Sequence, residues 1–172
     1  WTSLSRISPN MVRAVISAED GKYCEHSGFD TDAIEDAVKR NASSKRLRGG
    51  STISQQTAKN VFLWQGSGWT RYVRKVPEIW FTFLIEHIWG KRRIMEVYLN
   101  VAETGIGTYG VQSGAERYYR KSASSLSVME AARIAAEAGH KVVLFERQRR
   151  LGGSLVLAAT VHADNERFLN WL

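Results

Sequence analysis

Apolar residues recur at helical spacing along most of this chain, and that periodicity limits the fold more than any other feature. Ser8-Pro9 is an N-cap followed by proline, and the apolar residues behind it predict a helix that ends near Glu19-Asp20. Further helices are predicted over 31–40, 52–61, 70–89, 92–99, 111–119 and 127–138. The fold class is therefore mainly α.

Two of these helices begin with a capping-box pattern, in which Thr52 precedes Gln55 and Ser127 precedes Glu130. The segment 141–146 differs, because its run of β-branched and apolar residues predicts the one convincing strand. No partner for it is evident in the sequence. We therefore expect one isolated strand near 141–146.

The 172 residues carry a net charge of +7 and a pI near 9.8, which favours an anionic partner. Nucleic acid, a phosphorylated ligand and an acidic membrane surface all fit this charge, and so do basic helix faces that simply contact water. No zinc-finger spacing or RNA-binding strand motif is present, so nothing favours nucleic acid. With no Gly/Ser-rich linker, the chain is expected to form one domain.

Cys24 is the only cysteine, which excludes an internal disulfide and leaves the compartment open. The chain opens at Trp1 without a signal peptide or an apolar stretch long enough to cross a bilayer. We expect that an N-terminal portion, with any anchor it holds, is absent from this sequence.

Three carboxylates are candidates for chemistry. Glu19 and Asp20 end a predicted helix, where negative charge opposes the helix dipole, so helix stability does not explain them. A solvated acidic turn is the alternative. Glu78 follows Arg74 by four residues on another helix, and an ordinary intrahelical ion pair is the alternative there.

A glycine pair precedes the helix that Thr52 caps. Glycines allow close approach of a ligand, and the amides at a helix N-terminus attract anions. Gln55, Gln56 and Lys59 can add polar and cationic contacts. The spacing of a Walker A loop is absent, so the pattern indicates an anion site of another kind.

The order of these segments resembles the family 51 peptidoglycan glycosyltransferases over about residues 1–136. The matching motifs are Glu19-Asp20-x-x-Tyr23-x-x-His26-x-Gly28-x-Asp30, the segment Gly49-Gly50-Ser51-Thr52 continuing to Asn60, Arg74-Lys75-x-x-Glu78, Lys91 to Asn100, Gly105 to Tyr119 and Leu126 to Ala136. Without a transpeptidase domain, the chain is most similar to the monofunctional members.

The resemblance implies a lysozyme-like, mainly helical fold that joins lipid II units into glycan strands with inversion and release of undecaprenyl diphosphate. Glu19 would be the catalytic base, and Glu78 would act near the donor sugar. Substrate contacts are implied for Asp20, Tyr23, His26, Ser51, Thr52, Gln56, Lys59, Asn60, Arg74 and Lys75. No cofactor is required, and the resemblance leaves a divalent cation at Glu78 open.

The implied partners are lipid II, the growing glycan chain, the membrane surface and other cell-wall synthesis proteins, but no nucleic acid. The implied location is the periplasmic face of the bacterial inner membrane, with the anchor outside this chain. Two alternatives stay open: a lysozyme-like enzyme that cleaves glycan, and an inactive remnant that binds lipid II or glycan.

The C-terminal segment 137–172 departs from the family pattern and is not expected to form an independent domain. Residues 129–172 instead resemble part of the dinucleotide-binding domain of flavin-dependent oxidoreductases, with Glu146 at the ribose position and Leu151-Gly152-Gly153 after it. The Gly-x-Gly-x-x-Gly loop is absent, so nucleotide binding is not expected. A junction of two unrelated sequences is the favoured explanation, and a natural terminus that mimics the pattern is the other.

Overall fold

The computed structural model describes residues 1–32, 35, 50–64, 69–138, 145–146 and 155–156 of the chain. Within them lie helices α1 (Pro9–Glu19), α2 (Ile53–Phe62), α3 (Thr70–Val73), α4 (Lys75–Ile88), α5 (Gly90–Val101), α6 (Val111–Tyr119) and α7 (Val128–Glu137). Short 3₁₀ turns at Leu4–Arg6 and Ala123–Ser125 precede α1 and α7. The mainly helical fold class is confirmed, whereas most of the helix predicted over 31–40 lies outside the described residues.

The predicted caps open the helices as expected. The Ser8 hydroxyl accepts a hydrogen bond from the amide of Asn10, and Pro9 is the first residue of α1. The capping boxes of Thr52 and Ser127 are both complete, with side chain and backbone bonded reciprocally at the starts of α2 and α7. Local sequence chemistry therefore fixes where these helices begin.

The single helix predicted over 70–89 is instead two helices, α3 and α4, with a turn at Arg74. Pro77 has no amide hydrogen, so it cannot donate to the carbonyl of Val73, four residues earlier. The loss of that bond explains why the helix is interrupted where it is. The turn has a consequence for the site, because it contains Arg74.

The core is built from one face of each longer helix. In the middle of the fold, α2 packs against both α4 and α5, while α1 packs against α7. The largest fully buried side chains are Tyr23, Tyr98, Met11, Ile16, Ile53, Ile94, Met95, Leu99, Ile134, Val12, Val15 and Val111. This packing brings the C-terminal end of α1 next to α2, where most of the candidate site residues lie.

The strand expected to be isolated has a partner. Strand β1 (Phe145–Glu146) pairs antiparallel with β2 (Leu155–Val156), with Phe145 opposite Val156 and Glu146 opposite Leu155. A lone strand would leave its backbone donors and acceptors unpaired, and a hairpin is the shortest way to pair them. The described ladder is two residues long on each side, shorter than the predicted strand.

Candidate active site

Glu19 is the last residue of α1 and is half-buried beside α2. The side-chain amide of Gln56 donates to the Glu19 carboxylate, with Nε2 and Oε2 2.5 Å apart. The hydroxyl of Tyr98 on α5 lies 3.4 Å from Oε1 of the same Gln56 side chain. Three helices thus meet at the carboxylate that the sequence singles out as the base.

Asp20, the neighbour of Glu19, is buried and forms hydrogen bonds to the loop after α1 and to the start of α2. One carboxylate oxygen lies 2.7 Å from Nε2 of His26, and the other accepts a hydrogen bond of 3.0 Å from the amide of Ile53. These contacts join the end of α1, the following loop and the start of α2. The predicted substrate contacts of Asp20 and His26 stay predictions, and the geometry gives both a positioning role.

Tyr23 was predicted to contact substrate, but the structure places it in the core with no exposed surface. Its hydroxyl donates to the carbonyl of Lys91 at 2.8 Å, and the Lys91 ammonium lies 4.6 Å from the ring centroid. Burial, with the negative charge of Glu86 nearby, raises the pKa of Tyr23 well above its usual value. Tyr23 is therefore a packing residue here, and substrate cannot reach its ring without a rearrangement.

The Gly-Gly-Ser-Thr segment works mainly as a helix cap in this structure. Thr52 is 2% exposed, and its hydroxyl donates to the carbonyl of Gly28 at 2.6 Å while accepting from the amide of Gln55. Since Asp20 accepts from the amide of Ile53, two amides at the start of α2 already have protein acceptors. Those two amides are therefore already used in the free protein, while the predicted substrate contact of Thr52 stays a prediction.

The residue that accepts the hydrogen bond from Thr52 must be a glycine, because position 28 has no room for a side chain. Its φ of +91° lies in the left-handed region, and an added Cβ would lie 2.9 Å from Cγ2 of Thr82 and 3.0 Å from Cγ of Glu86. The loop after α1 is therefore pressed against α4. Of the remaining residues in the motif, Ser51 is exposed and Gly49 lies outside the described residues.

A group of cationic side chains surrounds Lys59, which is half-buried on α2. Its pKa is lowered, first by burial and then by the positive charge of Arg74, with Lys75 adding to the effect. The same ammonium interacts favourably with Glu78 and Glu19. Lys59 thus lies within electrostatic reach of both predicted catalytic carboxylates and of both cations at the start of α4.

The ion pair considered between Arg74 and Glu78 is not the one that forms. Glu78 pairs with Lys75 at 2.6 Å, whereas Nη1 of Arg74 donates to the carbonyl of Trp64 at 3.0 Å. Arg74 is 8% exposed, and its Nε has no hydrogen-bond partner within the described part of the chain. A buried guanidinium with an unused donor can accept an anionic ligand.

A cavity of about 280 Å³ opens beside Gln56. It is lined by Gln56, Lys59, Asn60, Tyr98, Val101, Ala102, Glu103, Tyr109 and Ala138. Asn60 was predicted from its motif, whereas Tyr98, Glu103 and Tyr109 were not singled out. For Glu103 and Tyr109 the signal in the sequence was the glycine-rich segment 105–110, where the chain turns so that the two residues pair at the cavity wall.

The loop from Ala102 to Gly110 is held by its own backbone. The amide of Thr104 donates to the carbonyl of Thr108 at 2.7 Å, and the amide of Gly107 donates to the Glu103 carboxylate at 2.9 Å. Gly110 has a φ of +81°, and an added Cβ would lie 2.8 Å from the carbonyl oxygen of Asn100. The loop therefore presents Glu103 and Tyr109 in a fixed arrangement.

No group of three or more His, Cys, Asp or Glu side chains that could hold a metal ion occurs in the described ranges. At Glu78, the ammonium of Lys75 takes the place where a cation would bind. The question of a divalent cation stays open as a prediction.

Helix α4 buries mainly polar side chains and exposes large apolar ones. Its buried residues are Glu78, Thr82 and Ile85, so two of the three are polar. Large apolar side chains are exposed on α4, on α3 and at the end of α2, and we call these residues together the apolar face: Val61, Phe62, Trp64, Trp69, Tyr72, Val73, Val76, Ile79, Trp80, Phe83 and Ile88. Among the helices described, none has both the length and the hydropathy to span a bilayer.

Comparison with known proteins defines the class to which this fold and site belong. The family model described as transglycosylase matches residues 1–141, and the chain belongs to that family. The match includes α7 entirely, so this helix, most of which lies in the segment that resembles a flavin oxidoreductase, belongs to the transglycosylase part. None of the comparisons supports the resemblance of residues 129–172 to a flavin oxidoreductase.

Individual relatives carry a more specific name. The biosynthetic peptidoglycan transglycosylase of Caulobacter vibrioides is 54% identical over 136 residues, which cover 79% of this chain and 58% of that protein. Proteins of the same name from Bdellovibrio bacteriovorus and Cronobacter sakazakii are 53% and 54% identical, again over 79% of this chain and over 53% and 55% of their own lengths. The chain spans little more than half the length of these curated relatives.

Proposed function

We propose that the chain is the catalytic part of a peptidoglycan glycosyltransferase, which polymerises lipid II into glycan strands. The observation that carries this proposal is that Gln56, which is bonded to Glu19, and Lys59, which interacts with Arg74 and Lys75, line the same cavity. Glycosyl transfer from a lipid diphosphate needs a base for the acceptor and positive charge for the leaving group. Both requirements meet around one cavity.

The proposed reaction is a direct displacement. Glu19 takes the proton from the acceptor sugar 4-hydroxyl while that oxygen forms a bond to the anomeric carbon of the donor. The bond from the anomeric carbon to the diphosphate breaks, and its electron pair leaves with undecaprenyl diphosphate. Displacement without a covalent intermediate inverts the configuration at the anomeric carbon.

The leaving group is stabilised by the cations. Diphosphate gains negative charge as the bond breaks, and preorganised cations at that position lower the barrier. The unpartnered Nε of Arg74 and the lowered pKa of Lys59 both describe positive charge that lacks a full complement of anions in the free protein. We assign Glu78, through its ion pair with Lys75, to holding that ammonium near the diphosphate.

The apolar face is proposed to lie in the membrane interface. Trp69, Tyr72 and Val76 are between 73% and 75% exposed, and the surface continues to Trp80 and Phe83. Contiguous apolar surface of this kind marks a membrane or protein contact, and tryptophan and tyrosine favour the membrane interface. Such an orientation brings Lys59, Arg74 and Lys75, which we call the cation cluster, to the depth in the membrane interface at which the lipid-linked diphosphate lies.

From this follow the proposed location and partners. Lipid II and the growing glycan chain are the substrates, the periplasmic face of the bacterial inner membrane is the location, and other cell-wall synthesis proteins are candidate partners. The sequence also predicts a membrane contact for the basic, apolar loop after Arg40, and this loop lies outside the described residues. The apolar face now supplies a better-supported surface. The resemblance of residues 129–172 to a flavin oxidoreductase, and the junction of two sequences that it suggests, stay a hypothesis that the comparisons do not support.

Incubation with two substrates tests the function. The chain, in detergent or with vesicles, is given lipid II in one reaction and isolated sacculi in the other. We expect glycan polymer and undecaprenyl diphosphate from the first, and no soluble fragments from the second. Release of fragments from sacculi, without polymer from lipid II, would support the lysozyme-like alternative instead.

Lipid II binding separates the remaining alternative. If the chain retains lipid II in a binding assay but forms no polymer, then it is an inactive remnant and the proposed function is wrong for this sequence. A parallel reaction with the chain fused to an N-terminal membrane-spanning helix shows whether activity depends on attachment to the membrane.

A further inference from the structure

We propose that Tyr98 is a positioning residue for the base Glu19 and acts by fixing the orientation of the Gln56 side-chain amide. The inference rests on the proposed function, because it assigns a base role to Glu19. It concerns a residue on α5 that the sequence did not single out. Tyr98 would not touch the reacting atoms itself.

The contacts form a chain of two hydrogen bonds. Tyr98 is 1% exposed, and a buried hydroxyl is expected to have a hydrogen-bond partner. Oε1 of Gln56 lies 3.4 Å from that hydroxyl, and Nε2 of the same amide lies 2.5 Å from Oε2 of Glu19. The amide therefore bridges the phenol and the carboxylate.

The orientation of this amide decides what Glu19 experiences. With Oε1 toward the Tyr98 hydroxyl, the NH₂ group faces the carboxylate and favours its ionised form. In the reversed orientation, an amide oxygen would face Glu19 and favour the protonated form, which cannot accept a proton from the sugar. A phenol that donates to Oε1 stabilises the productive orientation.

Tyr98 is suited to remain a donor. Burial, together with the negative charge of Glu19, raises the pKa of Tyr98 well above its usual value, so the hydroxyl keeps its proton. Lys59 on α2 interacts electrostatically with Glu19, and Asp20 is its neighbour in the chain. Neither of these fixes the amide, because neither is bonded to Gln56.

The test removes one oxygen atom. Tyr98→Phe keeps the ring in the core but deletes the hydroxyl, so we expect kcat with lipid II to fall about tenfold while KM changes less than about twofold. The acid side of the pH profile should move to higher pH, because Glu19 loses part of the stabilisation of its ionised form. Tyr119→Phe, on α6 and outside the site, is the matched control and should behave as the parent does.

A double-mutant cycle distinguishes positioning from general packing. Because the hydroxyl acts through Gln56, Tyr98→Phe should have almost no further effect on kcat in a Gln56→Met background. An equal tenfold loss in both backgrounds would overturn the inference. So would a Tyr98→Phe variant with the parent's kcat and pH profile.

A readout independent of turnover separates this inference from the proposed function. Titration of the Glu19 carboxyl carbon by NMR, assigned with Glu19→Gln, should give a pKa higher by roughly one unit in Tyr98→Phe than in the parent. If the parent makes no polymer, then the proposed function fails, yet this comparison still decides the positioning. An unchanged Glu19 pKa in Tyr98→Phe overturns the inference, even if Gln56→Met changes it, because the orientation of the amide is assigned to the Tyr98 hydroxyl.

Discussion

Lys59 lowers the stability of the free protein, and the same position suits it to bind the substrate diphosphate. Its ammonium is half-buried near Arg74 and Lys75, and burial and these charges together lower its pKa. In the free protein this is an unfavourable position for a cation. A bound diphosphate would reverse the balance, because its negative charge would lie among the cations.

Replacing Lys59 should therefore raise the stability of the folded protein and lower its catalytic activity. Lys59→Met keeps the aliphatic stem and removes the charge, so we expect the free energy of unfolding to rise by about 1 kcal/mol while lipid II polymerisation falls at least tenfold. Urea denaturation and product analysis measure the two effects. Lys91→Met is the control: Lys91 pairs with buried Glu86 at 2.7 Å, so its loss should destabilise by about 2 kcal/mol.

The stability gained by Lys59→Met should depend on pH in a defined direction. The folded-state pKa of Lys59 lies below its ordinary value of 10.5, so between those two values the unfolded chain binds more protons. The penalty is fully present below the folded-state pKa and disappears as pH rises toward 10.5. The difference in unfolding free energy between variant and parent should therefore narrow from neutral to alkaline pH, and a widening difference would contradict this account.

Among the elements, α2 organises the site because its first residues are bonded to two other segments. Thr52 caps the helix and binds the carbonyl of Gly28, while Asp20 accepts from the amide of Ile53. Gln56 and Lys59 then follow on the helix, toward Glu19 and the cations. The start of α2 therefore sets the position of both halves of the proposed active site.

The two capping boxes offer a direct comparison of this role. Thr52→Ala loses the cap and the bond to Gly28, both buried, so we expect a cost of about 2 kcal/mol. Ser127→Ala loses an exposed cap alone and should cost about 1 kcal/mol or less. Chemical denaturation of both variants measures the difference, and equal costs would show that the Gly28 bond contributes nothing.

Sequence chemistry predicted the starts of α1, α2 and α7 because caps are local. It did not predict the break at Arg74, although Pro77 carried that information, because the helix over 70–89 was predicted from the spacing of its apolar residues. Burial was less accessible still. Tyr23 and Thr52 lie in motifs that suggested substrate contact, and only the packing of the loop against α4 shows that both are enclosed.

Tyr98 illustrates what pattern reading omits. The residue lies in an ordinary helical segment, and its relation to Glu19 arises from the meeting of α1, α2 and α5, which are distant in sequence. The pairing of β1 with β2 was missed for a related reason, because β2 is too short to give a period-two signal.

At the scale of the whole molecule, the proposed orientation places the apolar face on the side of the membrane. The apolar face occupies the outside of α3 and α4, and the cation cluster begins at the turn between them. A protein placed with this face in the bilayer interface would meet its substrate where the diphosphate lies. Membrane contact and catalysis would then share one element.

Vesicle binding measures this orientation. Trp80→Ser combined with Phe83→Ser should reduce binding to vesicles of phosphatidylglycerol and phosphatidylethanolamine at least tenfold, because each exposed aromatic residue loses its apolar contact with the interface. Met129→Ser, which also removes an exposed apolar side chain but lies on α7, should leave vesicle binding unchanged. Equal losses in both variants would remove the basis for the proposed orientation.

The central claim is that Glu19 is the base of a polymerising glycosyltransferase, and the most direct measurement is lipid II polymerisation by Glu19→Gln beside the parent chain. The substitution preserves size and removes the ability to accept a proton. We predict that polymer formation is abolished while the variant stays folded and still binds lipid II. Near-normal glycan synthesis by the folded variant would contradict the account.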